Sequence, residues 1–95
     1  MKLDLGTVLL TRDITNKAKE DPDFGSFIVS CTERFSNFDW GVLPEEAQNL
    51  NKKALNPYEP GMLHVIYIFP KTDDSVWIIQ EANRSYTTVL FPSEY

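Results

Sequence analysis

The sequence predicts an α+β fold: an antiparallel sheet of three to four strands with two to three helices packed mainly on one face. Three observations point to it. The first half carries helix punctuation and an apolar stripe at helical spacing. The second half is rich in β-branched and aromatic residues. Between them, Asn56-Pro-Tyr-Glu-Pro-Gly61 breaks the chain. The 95 residues read as one domain, 1–95, without internal repeat, low-complexity segment or linker.

Residues 2–10 end in Thr7-Val-Leu-Leu10 and suit an opening strand, with a short helix expected over Asp13 to Lys19. Asp21-Pro22-Asp23 announces a second helix. Asp21 can cap free N–H groups, Pro22 fits the first helical position, and Asp23 suits the positive end of the helix dipole. Phe24, Phe27, Ile28, Cys31 and Phe35 then fall on one stripe. Asn37 is a fair terminator, and Asp39-Trp40-Gly41 makes a compact turn. Leu43-Pro-Glu-Glu46 opens a third helix, with Ala47, Leu50 and Ala54 as its apolar positions and Lys52-Lys53 at its negative end.

Met62 to Phe69, Val76 to Ala82 and Ser85 to Phe91 read as strands. A turn at Asn83-Arg84 sets a register in which Gln80 faces Thr87, Ile78 faces Val89, Ile79 faces Thr88 and Trp77 faces Leu90. Arg84 suits left-handed dihedrals less well than glycine, so a longer loop is the other option. Both faces of these strands are apolar, while the helices can cover one. A remainder around Trp77, Tyr86 and Leu90 is expected either to form an interface or to be wrapped by the opening strand and loops.

Net charge is −5, and the span Glu20–Glu46 holds seven acids against one base, Arg34. That balance disfavours direct nucleic-acid binding, which needs a basic stripe, and permits a basic protein partner. The plainer account is a solvated acidic face. One cysteine, Cys31, makes no internal disulfide. With no signal peptide and no apolar run near the length of a membrane span, a cytoplasmic chain without membrane contact is expected.

None of the common nucleotide, hydrolase or metalloprotease motifs is present, and one cysteine with one histidine makes no usual zinc set. No cofactor, metal ligand or catalytic residue is therefore assigned. Cys31 lies in the apolar stripe and reads as a buried thiol; His64 lies in an apolar strand and reads as a hydrogen-bonded structural histidine. Glu45 and Glu46, as helix neighbours, diverge by about 100° and do not converge on one substrate atom. The candidate binding residues are Asp39, Trp40, Trp77, Glu81, Arg84 and Tyr86. Glu81, Arg84 and Tyr86 could surround a small anionic ligand, although a salt bridge pinning the hairpin end explains the charged pair as well. Trp40, beside Phe35 and Phe38, fits a core plug better than a binding anchor.

Three segments together carry a resemblance: Leu5-Gly-Thr-Val-Leu-Leu-Thr11; Asp39-Trp40-Gly41 with Glu45-Glu46 and Asn51-x-x-Ala54-Leu55; and the closing run from Trp77-Ile-Ile to Pro92-x-Glu94-Tyr95. Nearly end to end, the chain resembles small uncharacterised "plasmid-related" proteins of bacterial plasmids, integrative elements and phages. It departs from their pattern at Phe35 and Phe38, where His and Gly are expected, and at Asn83, where Asp is expected. The resemblance implies a mobile-element setting and no catalytic assignment. The resulting expectation is a non-enzymatic accessory protein that binds a host protein, inhibiting a defence or nucleic-acid-processing function. The contact surface would be the acidic span or the second sheet face. The rivals are a small enzyme or ligand-binding module with its site near Asp39, Trp40, Glu81 and Arg84, and a homodimer joined through a sheet face.

Overall fold

The computed structural model describes residues 2–95. In chain order the elements are β1 (Thr7–Leu10), α1 (Arg12–Glu20), α2 (Pro22–Ser36), α3 (Glu45–Ala54), β2 (Leu63–Phe69), β3 (Asp74–Gln80), β4 (Tyr86–Leu90) and a closing 3₁₀ turn (Pro92–Glu94). The α+β class is as expected, with three α-helices and a four-stranded sheet among the described residues. The sheet is mixed rather than antiparallel throughout. Its order is β1-β4-β3-β2, and β1 runs parallel to β4, the partner farthest from it in sequence.

The helix boundaries follow from local chemistry. Asp21 Oδ1 accepts from Asp23 N at 3.1 Å and Pro22 takes the first turn, so α2 begins where the capping residues place it. Asn37 caps its far end, and Phe38 at φ 65° turns the chain out of the helix. Helix α1 is two residues longer than expected, from Arg12 to Glu20. In α3 the apolar spacing misleads: Leu50 is 66% exposed, and the polar Asn51 beside it is buried.

The core lies between the helices and one sheet face. Phe24, Ile28, Cys31 and Phe35 of α2, with Ile14 of α1, meet Leu63, Val65, Tyr67, Phe69, Val76, Ile78 and Val89. These strand positions alternate, so all of them point to the same side. Phe24 sits at the centre of an aromatic group, its ring 5.2 Å from Phe69, 5.8 Å from Phe91 and 6.2 Å from Phe27. Two polar residues also occupy this face. Gln80 Nε2 donates to Asp4 O at 2.7 Å and to Thr87 Oγ1, and Thr87 Oγ1 donates to Leu5 O at 2.7 Å. Together they tie down the arm that precedes β1, whose Leu3 N also donates to Ser36 O. The arm's backbone thus partners Gln80 Nε2 and Thr87 Oγ1, while Gln80 Oε1 is buried without a hydrogen-bond partner.

The two sheet edges are treated differently. Along β2, Val42 N donates to Ile66 O at 2.9 Å. The Asn51 amide meets the backbone of His64 twice, Nδ2 donating to His64 O at 2.9 Å and Oδ1 accepting from His64 N at 3.2 Å. Asn51 thus stands in for a neighbouring strand, which is why α3 buries a polar residue. Along β1 no such cover exists among the described residues, and Thr7–Leu10 is exposed throughout.

The β3–β4 register matches the expectation: Gln80↔Thr87, Ile79↔Thr88, Ile78↔Val89 and Trp77↔Leu90. The connection is wider than two residues, because Arg84 N donates to Glu81 O and Arg84 itself takes φ 59°.

Candidate functional site

On the second face of the sheet the strands place two cross-strand rows. His64, Ile79, Thr88 and Leu9 form one; Ile66, Trp77 and Leu90 form the other. Every helical core residue meets the opposite face, so these rows are covered by no helix among the described residues. The closing 3₁₀ turn supplies one side chain. Tyr95 lies edge-on to Trp77, with ring centroids 5.5 Å apart, and His64 meets Trp77 from the other side at 4.6 Å. A track of three rings therefore crosses the face. Ile66, Ile68, Trp77 and His64 are half-buried, while Leu9, Tyr86 and Tyr95 are exposed. Of the residues expected either to form an interface or to be wrapped, Tyr86 is exposed and Leu90 is buried, as is Ile79 on the same face.

Glu94 holds this end in place. Thr11 Oγ1 donates to Glu94 Oε1 at 2.7 Å, Phe91 N donates to the same oxygen at 2.9 Å, and Asp13 N approaches Oε2 at 3.4 Å. Burial raises the Glu94 pKa, but these donors outweigh it and leave the carboxyl below its ordinary range.

His64 is the face's titratable group. Its Nε2 is buried and has no hydrogen-bond partner, against the expectation of a hydrogen-bonded structural histidine. Desolvation lowers its pKa below the ordinary 6.5, so the folded protein prefers the neutral ring. As pH falls below 6.5, the unfolded chain takes up a proton that the folded chain resists, and stability is lost in that window. The expected result is a denaturation midpoint that declines just below pH 6.5 in the parent, and a smaller decline in His64→Phe. Equal pH profiles for the two proteins would show that His64 is not the group responsible.

The other sequence-predicted residues are scattered. Arg84 does not pair with the Glu81 carboxylate. Its guanidinium donates to Gly61 O and Ala54 O, each at 2.7 Å, and to the main-chain Glu81 O at 3.4 Å. It thereby caps the end of α3 and anchors the β3–β4 loop to it. Asp39 instead pairs with Arg34, whose Nε donates to Oδ2 at 2.7 Å, and this partner holds the Asp39 carboxyl below its usual range. The Arg34 guanidinium lies 4.6 Å from the Tyr67 ring centroid, and the Tyr67 hydroxyl donates to Asp39 O at 2.5 Å. Trp40 is a core plug, 7% exposed and edge-on to Phe35 and Phe38. A cavity of about 630 Å³ opens beside Leu3, Phe38, Leu55, Pro57, Pro60 and Arg84. Of Asp39, Trp40, Glu81 and Arg84, only Arg84 lines it, although Phe38, Ala82 and Asn83 beside them in the chain line it as well.

Burial pushes the Cys31 thiol up to about 12, which keeps it a protonated core group. No group of three His, Cys, Asp or Glu side chains among the described residues is placed to hold a metal ion. No described helix is long and apolar enough to cross a membrane. The acidic span is partly neutralised, with Lys71 reaching Asp21 and Asp23, and Arg34 reaching Asp39.

Sequence reasoning located Trp77 and Tyr86 on the open face but missed His64 and Tyr95 as their companions. Strand parity carries the signal for His64, two places before Ile66 on the same face. Nothing local announces Tyr95, which arrives by the fold of the last residues. Family models, curated proteins and solved structures contain no match to this chain.

Proposed function

We propose that this chain is a non-enzymatic accessory protein of a plasmid or phage that binds a host protein through the second face of its sheet, inhibiting a defence or nucleic-acid-processing function. The mobile-element setting comes from the resemblance of its three segments. One structural observation supports the binding reading: the helix-free face with the His64–Trp77–Tyr95 track and the exposed Leu9 and Tyr86. Half-buried aromatics flanked by exposed apolar side chains are the composition of an interface centre. The acidic span supports the reading less well as a contact surface, because Lys71 and Arg34 already engage three of its carboxylates. Asp39, Trp40 and Glu81 do not line the cavity that Arg84 borders, which supports the ligand-site alternative less well.

The test is affinity capture from host lysate with three baits: the parent, Tyr86→Glu and the triple reversal Glu33→Lys/Glu45→Lys/Glu46→Lys. Tyr86 is exposed and sits at the start of β4, so its replacement should leave the thermal midpoint nearly unchanged. Capture of a defined protein by the parent and by the triple reversal, with at least tenfold weaker capture by Tyr86→Glu, is the expected outcome. Capture lost only in the triple reversal would move the contact to the acidic span. No capture by any bait, or equal capture by all three, would sink the proposal.

A further inference from the structure

The cavity of about 630 Å³ lies where three connecting segments meet: the arm before β1, the α3–β2 connection and the β3–β4 loop. Its size falls within the roughly 300–1,000 Å³ of small-molecule sites. Leu3, Phe38, Leu55 and Ala82, all half-buried, give it apolar walls, and the exposed Pro57 and Pro60 stiffen the side that follows α3. The lining holds two cations, Lys2 and Arg84, against one acid, Asp4, whose Oδ1 already accepts from Gly6 N at 2.9 Å. None of these residues belongs to the His64–Trp77–Tyr95 track, so the cavity stands apart from the partner-binding reading of the sheet face.

Backbone strain gathers at the same place. Among the described residues, two of the three non-glycines with positive φ, Phe38 at 65° and Arg84 at 59°, line this cavity. The position after a helix cap usually takes glycine. Phenylalanine there is held in a costly conformation, which puts its ring edge-on to Trp40 and into the cavity wall. Residues strained in this way cluster at ligand clamps.

Arg84 supplies the polar contact. A guanidinium carries five N–H donors. Three are directed at Gly61 O, Ala54 O and Glu81 O, and Nε meets no acceptor among the described residues. No described carboxylate pairs with this side chain. The three carbonyls therefore fix the guanidinium in place and leave its charge uncompensated. A planar carboxylate matches such a fork of donors, whereas phosphate brings more charge and more bound water to apolar walls. We propose that the cavity binds a small aromatic carboxylate, its ring against Phe38, Leu55 and Ala82 and its carboxylate on Arg84, with Lys2 at the rim.

Calorimetric titration and amide chemical-shift mapping test the site on the full chain, with cinnamate as the probe. Cinnamyl alcohol keeps the ring and loses the charge; acetate and inorganic phosphate keep a charge and lose the ring. Cinnamate is expected to bind at least tenfold more tightly than all three, with shifts concentrated at Leu3, Phe38, Leu55, Ala82 and Arg84. Ala82→Phe fills the cavity, and Arg84→Lys keeps the charge without the fork. Each is expected to weaken cinnamate binding at least tenfold while circular dichroism stays unchanged. Arg84 also anchors the end of α3, so if its variant fails to fold, Ala82→Phe and the three comparison compounds decide alone. The proposal is overturned by an absence of cinnamate binding, by a comparison compound that binds as tightly, or by shifts gathered away from the cavity. Parent-like affinity in either folded variant overturns it as well.

Discussion

Phe24→Ala is expected to cost about 3–5 kcal/mol, the usual range for emptying a buried aromatic site. Few positions in the chain offer as much to lose. The ring is fully buried and shares contacts with Phe27, Phe69 and Phe91, which come from α2, from β2 and from the segment after β4. Lys17 of α1 adds its ammonium 5.3 Å from the ring centroid. Removing the ring therefore leaves a void that four separate segments would have to close together, and close packing makes such collapse incomplete. A domain of this size holds about 5–15 kcal/mol in total, so the variant should be marginal at room temperature. Urea titration checks this: the midpoint should fall steeply with the slope unchanged. Phe24→Leu, which keeps most of the volume, should lose much less. A Phe24→Ala midpoint near that of the parent would mean the aromatic group is not the centre of the core.

Gly41→Ala is expected to be the next most damaging change, about 2–4 kcal/mol, through backbone rather than cavity. Gly41 takes φ +69°, and an added Cβ would fall 2.0 Å from Ile66 O and 2.9 Å from a ring carbon of Tyr67. The first of these is a main-chain atom in β2 and cannot swing aside. The bridge from Val42 N to Ile66 O would have to open, uncovering part of the β2 edge. Gly25→Ala is the contrasting substitution. Gly25 lies inside α2, where an added Cβ meets nothing closer than Ala18 O at 3.5 Å. There the change should be neutral or stabilising by up to about 1 kcal/mol, because alanine is the better helix former. Thermal midpoints of the two variants, measured side by side, should show a large fall for Gly41→Ala and none for Gly25→Ala. A shared direction would remove the close approach as the explanation for Gly41.

The sheet and its face were legible in the residues to different depths. The β3–β4 ladder follows from alternation around Asn83-Arg84, because a hairpin stores its register locally. The parallel pairing of β1 with β4 leaves no such trace. No turn joins the two strands, and a four-residue strand carries too little pattern to name its neighbour or its direction. The exchange of Leu50 for Asn51 has the same origin. Helical spacing sees one face of one helix, while the burial of Asn51 is dictated by the hydrogen-bonding groups of His64 in another element. From sequence alone Arg84 pairs with its neighbour Glu81 or joins it around a small ligand. Its real acceptors, Ala54 O and Gly61 O, belong to a helix end brought close only by the tertiary fold. At the candidate site, Trp77 and Tyr86 were visible as large apolar residues on the uncovered parity of their strands. His64 and Tyr95 join them only when cross-strand neighbours and the final turn are in place.

The union of β1 with β4 also dictates an order of events during synthesis. Thr7 finds its strand partner at Tyr86, which leaves the ribosome 79 residues later. Translation proceeds at roughly 5–20 residues per second, so the Thr7-Val-Leu-Leu10 segment spends several seconds outside with nothing to pair with. The arm before it waits equally long, since Gln80 and Thr87 are its anchors. The helices can gather early around α2, but the sheet closes only once Tyr86–Leu90 has emerged. For that interval the nascent chain displays an unpaired, uncharged strand, as a chaperone substrate would.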